Sequence, residues 1–170
     1  AGSLAMGYHL VPKEHAEDWW LPTSIEIATT CYETYRLTKT GLAAEINDFT
    51  LGVAALERHY RLRPETLEAL FYLFRITGNE TYRDWSWNII LAINRTARTK
   101  YGFAKVVNTD VTPVSFEDSQ ETFLSAETLK YALLIQLPSE VLPLEKYVFN
   151  TEAHPFPVQE AGIHSGSGLW

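Results

Sequence analysis

The stretch Pro64-Glu65-Thr66-Leu67-Glu68-Ala69-Leu70-Phe71-Tyr72-Leu73-Phe74-Arg75-Ile76-Thr77-Gly78 decides the fold class, because it reads as one helix with both ends marked. Pro64 suits the first helical position, where a missing N–H costs nothing, and Gly78 suits the residue just past the end. Between them Leu67, Leu70, Phe71 and Phe74 recur at three- and four-residue steps and form an apolar stripe for a core. Glu65, Glu68 and Tyr72 fall on the other side, a carboxylate face that is either solvated or the wall of a cavity.

The same periodicity extends outward. Upstream, after a segment of small residues from Ala1 to Gly7, a helix is predicted over about 13–38, with Ile25, Ala28, Thr29, Tyr32 and Tyr35 in step. Pro22 starts or kinks it, and Gly41 ends it in a left-handed cap. Downstream, a helix over about 80–98 places Tyr82, Trp85, Ile89 and Ile93 on one face, which is packing and not a cofactor box. Residues 100–107 read as a short extended piece through Tyr101, Phe103 and Val107, and 108–117 as loop.

Asp118 with Glu121 resembles a capping box ahead of a further helix to about Leu137, ended by Pro138. On that helix Phe123, Glu127 and Tyr131 are spaced by four and share a face. After His154 the prolines at 155 and 157 and the Gly/Ser run 165–168 predict irregular chain, with 159–170 as a tail. Long amphipathic helices with few strands indicate an all-α helical barrel or bundle.

A chain of 170 residues with 46% apolar, 13% aromatic and 21% charged residues is one globular domain with a large core. A net charge of -7 with scattered Lys and Arg excludes wrapping of nucleic acid. No window of about 18 apolar residues crosses a membrane, and no basic-then-apolar leader opens the chain. Cys31 has no internal partner and reads first as a small buried hydrophobe. Gly-rich phosphate loops and zinc spacings are absent from the sequence.

Four carboxylates stand out as candidates for chemistry: Glu65, Glu68, Glu127 and Glu152. Inverting glycoside hydrolysis needs one carboxylic acid and one carboxylate roughly 6.5–9.5 Å apart. Spacing places Glu65 and Glu68 on one helix and says nothing about the other two. Taken singly, Glu65 is a surface residue of a first helical turn, favoured there by the macrodipole. Thr151 alone is a turn or capping residue, since calcium requires six to eight oxygens.

The segments Arg63-Pro64-Glu65-Thr66-Leu67-Glu68, Phe71-Tyr72-Leu73, Ala126-Glu127-Thr128-Leu129-Lys130-Tyr131 and Phe149-Asn150-Thr151-Glu152-Ala153-His154-Pro155 resemble the closing motifs of class I α-1,2-mannosidases, glycoside hydrolase family 47. Gly2-Ser3-Leu4-Ala5-Met6-Gly7 and Thr40-Gly41-Leu42-Ala43-Ala44-Glu45 resemble that family in the same order, so the likeness covers the chain to Val158. The resemblance implies an all-α (αα)7 barrel, here its later helices with short β segments, as the C-terminal part of the catalytic domain over 1–158. It also implies Ca2+ as cofactor and release of terminal α-1,2-linked mannose from high-mannose N-glycans with inversion.

By the same resemblance Glu65 matches the catalytic base that activates water. Thr151 matches the direct calcium ligand, through hydroxyl and carbonyl, and Glu45 a residue reaching the metal through water. Glu68, Glu127 and Glu152 match the acidic lining of the sugar site, Phe123 the ring on which mannose stacks, and Arg63 an arginine beside the glycan branch. Family members are longer, and the general acid and a further catalytic aspartate of their upstream half have no matching position here. The chain alone is therefore expected to be inactive, and the complete protein monomeric.

The resemblance also gives Cys31 a second reading, as half of a disulfide with a cysteine just upstream of Ala1 in the complete protein. Asn79-Glu80-Thr81 and Asn94-Arg95-Thr96 are glycosylation sequons, and Asn79, at a helix start, is the better acceptor. Both features suit the secretory pathway, in the endoplasmic reticulum or Golgi lumen or beyond it. A bacterial periplasmic setting and an upstream membrane anchor stay open. The connection between Glu45 and Arg63 is shorter than the common family pattern. The alternative to a hydrolase is a non-hydrolytic mannose-binding relative that serves glycoprotein quality control.

Overall fold

The central helix forms as its sequence dictates. In the computed structural model, which describes residues 1–158, Pro64 is the N-cap and Gly78 the left-handed C-cap (φ 67°) of a helix spanning Glu65–Thr77. In chain order the elements are α1 (Gly2–Leu10), α2 (Trp20–Arg36), β1 (Ile46–Asp48), β2 (Ala54–Glu57), α3 (Glu65–Thr77) and α4 (Thr81–Thr96). They continue with β3 (Lys105–Val106), β4 (Phe116–Glu117), a π-helical turn (Leu124–Thr128) running into α5 (Leu129–Gln136), β5 (Tyr147–Phe149) and β6 (Pro155–Pro157). The strands pair as three antiparallel two-stranded sheets, β1 with β2, β3 with β4 and β5 with β6.

Helix α3 is surrounded by α1, α2, α4 and α5. Its burial is accordingly wider than one stripe: Leu67 and every residue from Ala69 to Phe74 are buried. Tyr72, expected on the carboxylate side, is buried beneath α1, where Gly2 comes so near that a Cβ there would lie 2.8 Å from the tyrosine ring. The ring of Phe71 meets Phe149 of β5 edge-on, with centroids 5.7 Å apart, and Tyr131 of α5 at 5.5 Å. Arg75 and Arg83 cover the C-terminal end of α5, donating to the carbonyls of Leu134 (2.9 Å) and Ile135 (3.0 Å), as cations near exposed helix carbonyls do. The described residues are helical with short strands, and a closed barrel is not visible in them.

Several boundaries differ from expectation. The small residues at the start form α1. Helix α2 begins at Trp20 because a turn after Pro12, with the His15 N–H on the Pro12 carbonyl at 2.8 Å, occupies the preceding stretch. It ends at Arg36 through a right-handed Leu37; the left-handed Gly41 (φ 77°) lies beyond, where its close approach to Ala92 of α4 leaves little space for a side chain. Tyr101 is 90% exposed and belongs to no strand, whereas Phe116–Glu117, inside the stretch read as loop, pairs with β3.

The capping box does not form. Glu121 instead binds Lys105 Nζ at 2.6 Å, and no side chain caps the π-helical turn. Phe123, Glu127 and Tyr131 therefore do not lie on one uniform helical face, because the π turn and α5 have different periods. Pro155–Pro157, read as irregular, is a strand that tolerates its prolines because it has a partner on one side only. The predicted tail over 159–170 lies outside the described residues.

Candidate active site

The carboxylates of α3 stand where the helix emerges from the core. Glu65 is exposed in the first turn and Glu68 half-buried one turn on. Burial and then the Glu65 charge push the Glu68 carboxyl above the usual carboxylate range. Burial, followed by the Glu68 charge, also pushes the neighbouring Tyr72 hydroxyl up to about 12.

Glu127 comes from the π-helical turn and is 8% exposed. Its carboxyl is raised first by burial and then by the charges of Glu152, Glu65 and Glu68, with Lys130 opposing. Charge effects fall off with distance, so the fold brings residues far apart in the chain within electrostatic reach of Glu127. Spacing could not show that reach.

Glu152 and Thr151 arrive on the turn between β5 and β6. Asn150 builds this turn, its Oδ1 accepting the backbone N–H groups of Glu152 (3.0 Å) and His154 (2.9 Å). Ala153 is left-handed (φ 54°) and buried, and its carbonyl accepts Lys130 Nζ at 2.8 Å, which ties the turn to α5. Thr151 and Glu152 are left exposed.

Arg63 and Glu45 form a separate edge of the site. The Arg63 guanidinium donates to both oxygens of Glu45, at 2.6–3.0 Å, and lies 6.0 Å from the centroid of the half-buried Phe123 ring. A cleft of about 190 Å³ is lined by Glu45, Arg63, Glu65, Tyr35, Tyr60 and Cys31. Cys31 is half-buried on α2, and burial raises its thiol pKa. Asn79 and Asn94 stand away from the site, both exposed: the Asn79 side chain accepts the Thr81 N–H at 3.0 Å at the start of α4, and Asn94 lies near its end.

Two features of the site carried no sequence signal. Leu62, just ahead of Arg63, is fully buried with a left-handed backbone (φ 63°), which a branched bulky residue rarely adopts. The π-helical turn under Glu127 is the other. Lys130 and Tyr131 were legible as part of a motif but not as the groups that anchor the Ala153 carbonyl and approach Glu68.

The donors gathered here are hydroxyl, carbonyl and carboxylate oxygens, the set a hard cation prefers. Neighbouring carboxylates that repel one another are also what a divalent cation relieves. Among the described residues no three His, Cys, Asp or Glu side chains form a direct metal cluster. Oxygen donors able to meet a hard cation here are the exposed Thr151 hydroxyl and the carboxylates around it.

Residues 1–158 match the model of Glycosyl hydrolase family 47. The human endoplasmic reticulum mannosyl-oligosaccharide 1,2-alpha-mannosidase is 41% identical, with 92% of this chain and 24% of that protein covered. The Arabidopsis thaliana mannosyl-oligosaccharide 1,2-alpha-mannosidase MNS1 is 42% identical over 92% of this chain and 28% of its own length. The chain thus spans about a quarter of the curated relatives it matches. An alpha-1,2-mannosidase from Trichoderma reesei superposes with a TM-score of 0.81 at 28% identity, covering 93% of this chain and 37% of that one. Sequence and structure agree along nearly the whole described length, and the chain belongs to glycosyl hydrolase family 47.

Proposed function

We propose that this chain is the C-terminal part of the catalytic domain of a calcium-dependent, inverting glycosidase that removes terminal α-1,2-linked mannose from high-mannose N-glycans. The observation that carries the reading is the family match over residues 1–158, together with the electrostatic reach of Glu65, Glu68 and Glu152 to Glu127. The names of the relatives supply the substrate class.

In this reading Glu65, water-accessible at the start of α3, is the base that takes a proton from the attacking water. Glu68, Glu127 and Glu152 accept hydrogen bonds from sugar hydroxyls, and Phe123 covers the apolar face of the terminal mannose. Arg63, held by Glu45, faces the glycan branch. Thr151 would hold calcium through its hydroxyl and carbonyl, and Glu45 would reach it through a water, since a carboxylate has lone pairs left after binding one guanidinium. When bound, calcium supplies a hard centre that grips sugar hydroxyls.

The general acid has no counterpart among these residues, so the chain alone is read as inactive and the complete protein as the enzyme. The reading also assigns the protein to the lumen of the secretory pathway, with Cys31 in a disulfide and Asn79 as glycan acceptor. The relatives above are eukaryotic and lend nothing to a periplasmic setting.

The test is mannose release from a high-mannose N-glycan by the complete protein, with the anomer identified by NMR. Release of β-mannose that stops with chelator, and falls at least about a hundredfold in Glu65→Gln, is the expected result. Glycan binding without release would favour the quality-control lectin, and neither binding nor release would sink the reading.

A further inference from the structure

Two segments that carry these carboxylates, Arg63–Glu68 and the π-helical turn Leu124–Thr128, are far apart in sequence. One buried hydrogen bond joins them: the Thr128 hydroxyl donates to the Leu62 carbonyl at 2.7 Å, and both residues are fully buried. We propose that this bond is a strut that fixes the separation of Glu65 and Glu127, making Thr128 and Leu62 positioning residues for the reaction. The inference rests on the mannosidase reading for its catalytic consequence and on geometry alone for the strut.

Three observations converge on it. Leu62 holds a left-handed backbone (φ 63°) that its side chain disfavours, and such strain persists where surrounding structure imposes it. Leu62 is the buried member of a run in which Arg61 is half-buried and Arg63 exposed, so its side chain anchors the run while Arg63 faces outward. Thr128 closes a π-helical turn, in which the Leu129 N–H reaches the Leu124 carbonyl. A π turn inserts a residue relative to α-helix, and here that insertion sets both Glu127 and the Thr128 hydroxyl.

Removing the hydroxyl takes a partner from a buried carbonyl, which then moves or opens to find another. Because the Leu62 carbonyl belongs to the peptide that leads into Arg63, motion there propagates to the first turn of α3. A displacement of about 1 Å in a group that must meet an attacking water costs up to roughly a hundredfold in rate.

The test uses Thr128→Val, which keeps the shape and loses the donor, and Thr128→Ser, which keeps the donor. In the complete protein, amide hydrogen exchange is read by mass spectrometry over 61–68 and 124–130. Thr128→Val is expected to speed exchange in both segments by about tenfold or more, and Thr128→Ser to leave both near the parent. In the complete protein, Thr128→Val is expected to lower kcat by about ten- to a hundredfold with KM within about threefold, and Thr128→Ser to restore it.

Faster exchange confined to 124–130, or Thr128→Ser behaving like Thr128→Val, would overturn the strut. Coupled exchange with unchanged kcat would overturn its catalytic role. If the unaltered complete protein releases no mannose, the mannosidase reading fails, and the exchange arm still decides the strut.

Discussion

At the scale of single residues the site is a balance of like charges. Glu127 illustrates the consequence: its carboxyl is raised in the folded state by burial and by Glu152, Glu65 and Glu68. A raised carboxylate pKa means the folded protein binds protons more readily than the unfolded chain, so the stabilisation is complete below the ordinary value of 4.5 and is lost as pH rises through the folded value. In chelator, the thermal midpoint of the parent should therefore fall between about pH 4.5 and neutrality, and Glu127→Gln should flatten that fall and melt higher at pH 7. A steeper fall in the variant would contradict the assignment. In saturating calcium the parent should gain the more of the two, because ligand binding raises the midpoint by mass action and Gln surrenders a negative charge. Of this arrangement only the identity of the residues was legible in the sequence. Glu65 and Glu68 could be placed on one helix, but the approach of Glu127 and Glu152 depends on side-chain packing between segments that no spacing rule connects.

Among the elements, α3 was the most legible because local chemistry marks both of its ends and its apolar residues keep one period. Leu70 lies fully buried at its centre, and Leu70→Ala should cost about 2–5 kcal/mol, read from denaturant midpoints. Gly78→Ala forces a Cβ into the left-handed cap at φ 67° and should cost about 1–2 kcal/mol, although nothing crowds the position. Gly2→Val tests the α1–α3 contact: its side chain would collide with the Tyr72 ring, an overpacking loss of about 1–3 kcal/mol. The elements that escaped prediction share a cause. Helix α1 opens with small residues and packs on α2 and α3, and β6 contains two prolines acceptable only beside a single partner strand. The π-helical turn is decided by its tertiary contacts, since nothing in Leu124–Thr128 distinguishes it from ordinary helix.

For the molecule as a whole, large apolar residues stay at the surface: Trp19, Trp87, Leu133 and Leu56 are each more than half exposed. Where such residues lie together they form a patch that other protein normally covers. The isolated chain should therefore self-associate with rising concentration in sedimentation velocity, and a single monomeric boundary at all concentrations would refute that. The helical class with short strands was legible from periodicity, whereas the expected barrel closure is not visible among the described residues. The turn at Asn150–His154 carries a further consequence, for the order of events during synthesis. It delivers Thr151 and Glu152 to carboxylates translated much earlier, and Asn150, Lys130 and the β5–β6 pairing hold it there. At about 5–20 residues per second, a nascent chain carries α3 outside the ribosome for several seconds before that turn exists. The negatively charged pole must stay open during that interval, so in the calcium reading proposed above metal capture is a late step, and any chaperone that shields Glu65 and Glu127 has to leave before the hairpin docks.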